Sequence, residues 1–181
     1  MSTGRFLMRL LAAITCVILI VASIGYFLPR DFELEASIRI ETKPELVFSK
    51  INSLPNWQFF STFNEQKIEG LKITYGEQAE GVGAVQKWTD ARGSGKMWIT
   101  ESKASESIKY DLQFGDFPVM KSQISLTETD SGTDVLWKSR GSLPSGPFYG
   151  FFAPFFSGQL DHEYGLCLQQ LKKICEEQAG Q

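Results

Sequence analysis

The residues able to do chemistry are few. One histidine, His162, and three cysteines, Cys16, Cys167 and Cys175, stand in 181 residues. Cys167 and Cys175 are eight residues apart in one helical stretch, hence roughly 12 Å apart along its axis, too far to bridge. Both are expected to be buried thiols that pack as small apolar side chains. His162 falls on the opposite side of that helix from Leu160, near 200° around the wheel at about 100° per residue, so it turns away from the buried stripe. No serine–histidine or cysteine–histidine pairing is suggested, and no catalytic residue is assigned. Nor is there a metal-ligand spacing, so neither metal nor cofactor is expected.

What remains are polar groups on otherwise apolar strand faces, sorted by alternation. Gln86 shares a side with Ala84 and Trp88. Glu101 shares one with Met97 and Ile99. Tyr110 and Phe114 lie with Ile108 and Leu112, Ser122 with Met120, Ile124 and Leu126, and Ser139 with Val135 and Trp137. An apolar wall with a few polar groups is what a small-molecule site uses to orient its ligand. The set expected to bind is Gln86, Trp88, Met97, Glu101, Tyr110, Phe114, Met120, Ser122 and Trp137. Trp57 and Phe60 from "PNWQFFSTF", Phe152 and Phe155 from "GPFYGFFAPFF", and Tyr164 from the last helix complete it. On the pattern alone, close packing into an ordinary core is the simpler outcome. Glu101, turned inward, would be costly if ionised and unpaired. It is read as a ligand-orienting or structural group rather than a general base.

The elements that position these groups follow from periodicity. "FELEASIRIE" alternates as a half-buried strand. "TKPELVFSKINSL" opens a short helix, with Pro44 at its start and Glu45 in its first turn. A second short helix or turn restarts at Pro55. Six strands are expected over 67–75, 82–89, 96–103, 107–114, 119–128 and 133–141. The turn residues between them recur regularly, which marks an antiparallel meander. A helix from about Ser157 to Glu177 closes the chain, with Leu160, Tyr164, Cys167, Leu168, Leu171 and Ile174 on one face. Pro147 and Pro154 are expected to prevent one continuous helix from 145 onward. The order is α+β, with a seven-stranded antiparallel sheet curling over the long helix. "GPFYGFFAPFF" then spans the rim between the last strand and that helix, with some of its rings exposed as a gate or membrane-contacting lip.

Residues 10–28 form 19 positions without a charge, about 28 Å as a helix and close to a bilayer's hydrocarbon thickness. Arg5 and Arg9 precede the run, and Arg30, Asp31, Glu33 and Glu35 follow it. The positive-inside rule puts residues 1–9 in the cytoplasm and the body outside it, periplasmic or extracellular. A cleaved signal peptide is the rival reading, but the run continues through Tyr26, Phe27 and Leu28, longer than a usual signal core. An uncleaved single-pass anchor is therefore expected. Only Pro29, Arg30 and Asp31 link it to the first strand, roughly 10 Å at most, so the body would sit against the membrane surface. Beyond residue 28 the chain holds all 21 acidic residues and 16 of the 18 basic ones, a net charge of −5. That balance is a poor match to nucleic acid or to anionic lipid headgroups, and nucleic acid is not expected as a partner.

The stretches "SIRIETKPELVFSKINSLPNW", "ITYGEQAEGVGAVQKW", "GSGKMWITESKASESIKYDL", "TDSGTDVLWKSRG" and "LDHEYGLCLQQLKKI" follow one another over residues 32–177. In order and spacing they resemble the SRPBCC or START-like superfamily, the polyketide cyclase/dehydrase and lipid transport proteins with the helix-grip fold. A span ending in "FLP" ahead of the first strand looks like a membrane-anchored subgroup. One departure stands out. Where such proteins often read W-S-P-W after "NW", this chain reads "QFFSTF", so Phe60 and Phe63 keep the bulk but lose the indole N–H donors. The resemblance implies a deep hydrophobic cavity between sheet and C-terminal helix, and a ligand-binding domain over 32–177 that holds a hydrophobic small molecule or lipid. It implies no particular reaction, because the superfamily spans carriers, cyclases and co-chaperone-like modules. A cyclase/dehydrase-type enzyme using Glu101 and a non-catalytic protein-interaction module remain the alternatives.

Overall fold

The structure, a computed structural model, describes residues 3–180. Helix α1 (Thr3–Phe27) is followed by β1 (Asp31–Ile40), α2 (Pro44–Ile51), a 3-10 turn (Leu54–Asn56) and α3 (Trp57–Phe60). Strands β2 (Lys72–Tyr75), β3 (Val85–Asp90), β4 (Gly93–Lys103), β5 (Ser107–Phe114), β6 (Met120–Thr129) and β7 (Gly132–Ser142) come next, and α4 (Tyr149–Ala179) ends the chain. The seven strands form one antiparallel sheet in the order β1-β7-β6-β5-β4-β3-β2. The meander runs from β2 to β7, and β1 returns to pair with β7 along its whole length, from Asp31 opposite Ser142 to Ile40 opposite Thr133. This is the α+β helix-grip fold: a sheet whose apolar face wraps one long helix.

Alternation builds the core. Leu34, Trp88, Met97, Tyr110, Ile124, Val135 and Trp137 are buried on the inner face, and Tyr164, Cys167, Leu168, Leu171 and Cys175 of α4 meet them. Several large rings fit because glycine makes room. A Cβ on Gly95 would collide with the Trp88 indole and stand 2.5 Å from the Gln113 carbonyl oxygen, so Trp88 lies flat across β4.

Three sequence expectations are corrected. First, β2 begins at Lys72 rather than 67, because the side-chain oxygen of buried Asn64 accepts from the backbone N–H groups of Gln66 and Lys67 and closes a turn there. Second, α4 starts at Tyr149 and continues through Pro154. The proline ring removes one hydrogen bond, to the carbonyl of Gly150, so close to the helix start that the loss is local. Ser157 Oγ donates to the Pro154 carbonyl at 3.0 Å. Third, β4 carries a bulge: Ile99 faces Tyr110 but Glu101 faces Lys109, leaving Thr100 as the extra residue. An extra residue reverses every later side chain. Glu101 therefore lies on the outer face, and Ser102 takes the inward place opposite Ile108 and donates to Asn52 Oδ1 at 2.7 Å.

From Gly4 to Val21 the N-terminal helix is exposed, and the segment Gly4–Phe27 is long and apolar enough to be a membrane span or a signal sequence. Its C-terminal end touches the start of α4. A Cβ on Gly25 would meet the Pro147 backbone and the Phe151 ring, and one on Gly150 would stand 2.5 Å from Leu28 Cβ. The two glycines let the helix ends approach closely.

Candidate functional site

Between the inner sheet face, α3 and α4 lies a cavity of about 820 Å³, within the ~300–1,000 Å³ usual for small-molecule sites. Its apolar wall is aromatic. Trp57 is buried in α3, and its indole N–H donates to the Ile51 carbonyl at 2.9 Å. That bond fixes the ring edge-on to Tyr110 and Trp137, with centroids 5.2 and 5.6 Å apart. Trp88 packs edge-on between Phe63 and Phe114, each at 5.3 Å. Tyr164 of α4 stacks on Trp137 at 4.2 Å, so one aromatic pair joins helix to sheet across the cavity.

Beneath the rings runs a row of matched hydroxyls. Ser122 and Ser139 are cross-strand partners. Ser139 Oγ donates to Ser122 Oγ at 2.6 Å and lies 2.8 Å from the Tyr164 hydroxyl. The Trp137 indole N–H donates to Tyr110 Oη at 2.9 Å. Burial pushes the Tyr110 phenol well above its ordinary range, and that of Tyr164 upward as well. Both are therefore neutral hydrogen-bonding groups at physiological pH. The rim is charged: Lys67, Asp90, Arg92, Asp116 and Glu163 border the opening. Asp90 accepts from Arg92 at 2.6 Å, and this bond holds its carboxyl below the usual range.

Of the residues expected to bind, Trp57, Gln86, Trp88, Met97, Tyr110, Phe114, Met120, Trp137 and Tyr164 line this cavity. The others do not. Phe60 is buried in the core against Trp57, with ring centroids 5.2 Å apart. Ser122 sits behind the wall, spent on Ser139. Phe152 and Phe155 are 58% and 74% exposed on the outer side of α4. Glu101 pairs outside with Lys109 at 2.9 Å and Lys103 at 3.6 Å, and the Lys109 hydrogen bond holds its carboxyl low. Phe63, Phe117 and Leu160, outside the expected binding set, also line the cavity. Leu160 shares the buried α4 stripe with Tyr164, a signal available from its spacing. Phe117 lies in the β5–β6 turn, which alternation does not reach.

No family model and no curated protein matches the chain. Solved structures do. The chain is similar to a protein of unknown function, SA2116, from Staphylococcus aureus, with a TM-score of 0.67 and 13% identity over 84% of this chain and 98% of that one. It is similar to the Aha1 dimer from Colwellia psychrerythraea, with a TM-score of 0.59 and 14% identity over 80% and 96%. DynU16, from the dynemicin biosynthetic locus, matches with a TM-score of 0.56 and 13% identity over 80% of this chain and 47% of that one. At these identities the likeness establishes one thing, the helix-grip fold that this chain shares with them.

Proposed function

We propose that the chain is a membrane-anchored member of the SRPBCC or START-like superfamily that binds a hydrophobic small molecule or lipid outside the cytoplasm. The observation that carries this reading is the cavity: about 820 Å³, walled by tryptophan and tyrosine rings and bordered by charge only at its rim. Burying a guest against such a wall yields roughly 25 cal/mol per Å² of apolar surface. The place of Glu101 on the outer sheet face supports binding over turnover, since the cyclase/dehydrase alternative drew its carboxylate from that residue.

The surroundings of the opening support exchange with a bilayer. Phe117 lines the cavity and packs edge-on against Tyr149 at 6.1 Å. Tyr149 begins α4, whose next residue, Gly150, touches Leu28 at the end of the apolar helix. Phe148, Phe151, Phe152 and Phe155 are exposed on the same stretch. An apolar surface thus runs from the candidate span to the cavity mouth, and its natural cover is lipid. Native mass spectrometry of the full chain, purified in mild detergent, tests the reading. A co-purifying apolar molecule released on denaturation is expected. A chain that carries none, and takes up none from mixed lipid vesicles, would count decisively against it.

A further inference from the structure

Among the described residues, Gln86 Oε1 is the only buried side-chain oxygen or nitrogen without a hydrogen-bond partner. Gln86 is 5% exposed and lines the cavity. Its neighbours across the sheet do not serve it. Tyr75, opposite on β2, turns its hydroxyl to Gln58 Nε2, from which it accepts at 3.0 Å, and makes no bond to Gln86. Met97, opposite on β4, offers only a thioether, a weak acceptor and no donor. The other buried polar groups around the cavity are matched: Ser122 with Ser139, Ser139 with Tyr164, and Tyr110 with Trp137. A buried amide left unmatched is expensive, and leucine or methionine would fill the position without that cost.

We propose that Gln86 is the specificity residue of the cavity and hydrogen-bonds a hydroxyl group on an otherwise apolar guest. The inference rests on the cavity-binding reading above and narrows the guest to a hydroxyl-bearing amphiphile. A hydroxyl fits whichever way the amide is turned. As oriented here Oε1 is closed off and Nε2, which has no partner in the protein, donates to the hydroxyl; with the two ends exchanged the hydroxyl donates to Oε1 instead. A pure hydrocarbon satisfies neither end.

The test uses the full chain in maltoside micelles, with decan-1-ol and n-decane as probes. Trp57, Trp88 and Trp137 line the cavity, so intrinsic fluorescence reports occupancy. Each probe is compared with itself between wild type and variant, so micellar partitioning cancels. Gln86→Leu is expected to weaken decan-1-ol about five- to tenfold, the worth of one buried hydrogen bond. Decane should bind as before or tighter, and the melting temperature should rise. If both probes bind and the substitution shifts them equally, the Gln86 assignment fails while the cavity reading stands. If neither probe changes the wild-type fluorescence, the cavity reading itself fails. Gln86→Met carries the same comparison should the leucine variant not fold. A lower melting temperature in both variants, with the probe ratio unchanged, would make Gln86 an internal structural group and overturn the proposal.

Discussion

At the scale of single residues, the outer position of Glu101 makes a clear prediction. Its carboxylate is bound to Lys109 and Lys103 on the solvent side of the sheet. Glu101→Gln should leave cavity binding within about twofold, and His162→Ala likewise, since His162 is exposed on α4. Loss of a measurable chemical conversion in Glu101→Gln, with the fold intact, would revive the enzyme reading. Cys175 offers a second. Burial pushes its thiol from 9.0 up to about 11, so the fold favours the protonated form. A pKa raised in the folded state contributes stability that is complete below the unfolded value, near 9, and is lost as pH climbs toward 11. In unfolding curves, the stability of wild type relative to Cys175→Val should therefore fall as pH rises from 8 to 11. Parallel curves would show that the thiol is not held protonated. Most of the aromatic wall was legible in the sequence, because strand alternation fixes which side chains share a face. Glu101 was not, because one bulge residue, Thr100, reverses the count and leaves no mark in composition. Gln86 was legible as an inward polar group. That its Oε1 is unmatched depends on side-chain placement, which alternation does not give.

At the scale of elements, the aromatic segment Gly146–Phe156 matters most. Turn and helix signals placed it on the cavity rim, but its prolines suggested a broken chain where one helix runs from Tyr149. Helix propensity and proline rules are local, and packing of Gly150 on Leu28 and burial of Ala153 hold the first turns in place. The rings divide accordingly. Phe156 packs edge-on against Phe32 at 5.3 Å, and Phe151 abuts Gly25. Phe152 and Phe155 are the outermost. If these two enter lipid, each contributes on the order of 1.5–3 kcal/mol to membrane contact and almost nothing to folding. The double substitution Phe152→Ser with Phe155→Ser should slow lipid transfer between vesicles by an order of magnitude or more, with a melting temperature near that of wild type. A melting temperature that falls steeply, as for core phenylalanines at about 3–5 kcal/mol each, would mean the rings support the fold instead.

At the scale of the whole molecule, the question is how the apolar N-terminal helix and the folded body work together. Only Leu28, Pro29 and Arg30 separate α1 from β1. Arg30 is tied to the body on both sides: its carbonyl accepts from the Leu143 N–H at 2.9 Å, and its guanidinium reaches the Pro144 carbonyl at 3.5 Å. With Gly25 and Gly150 in close approach, the helix leaves the body along a path set by packing as well as by a tether. A signal sequence destined for removal gains nothing from such a fit, whereas an anchor that must hold a cavity mouth toward the bilayer does. The mature protein is therefore expected to retain residues 10–28, with the body outside the cytoplasm. The intact mass of membrane-extracted protein should include the helix, and protease added to sealed cells should digest the body while leaving a short protected N-terminal fragment. A mature N-terminus near Ile24 or Tyr26 would defeat the anchor, and a body protected from external protease would invert the orientation. Neither result would touch the cavity, whose walls come entirely from the sheet, α3, α4 and the loops that join them.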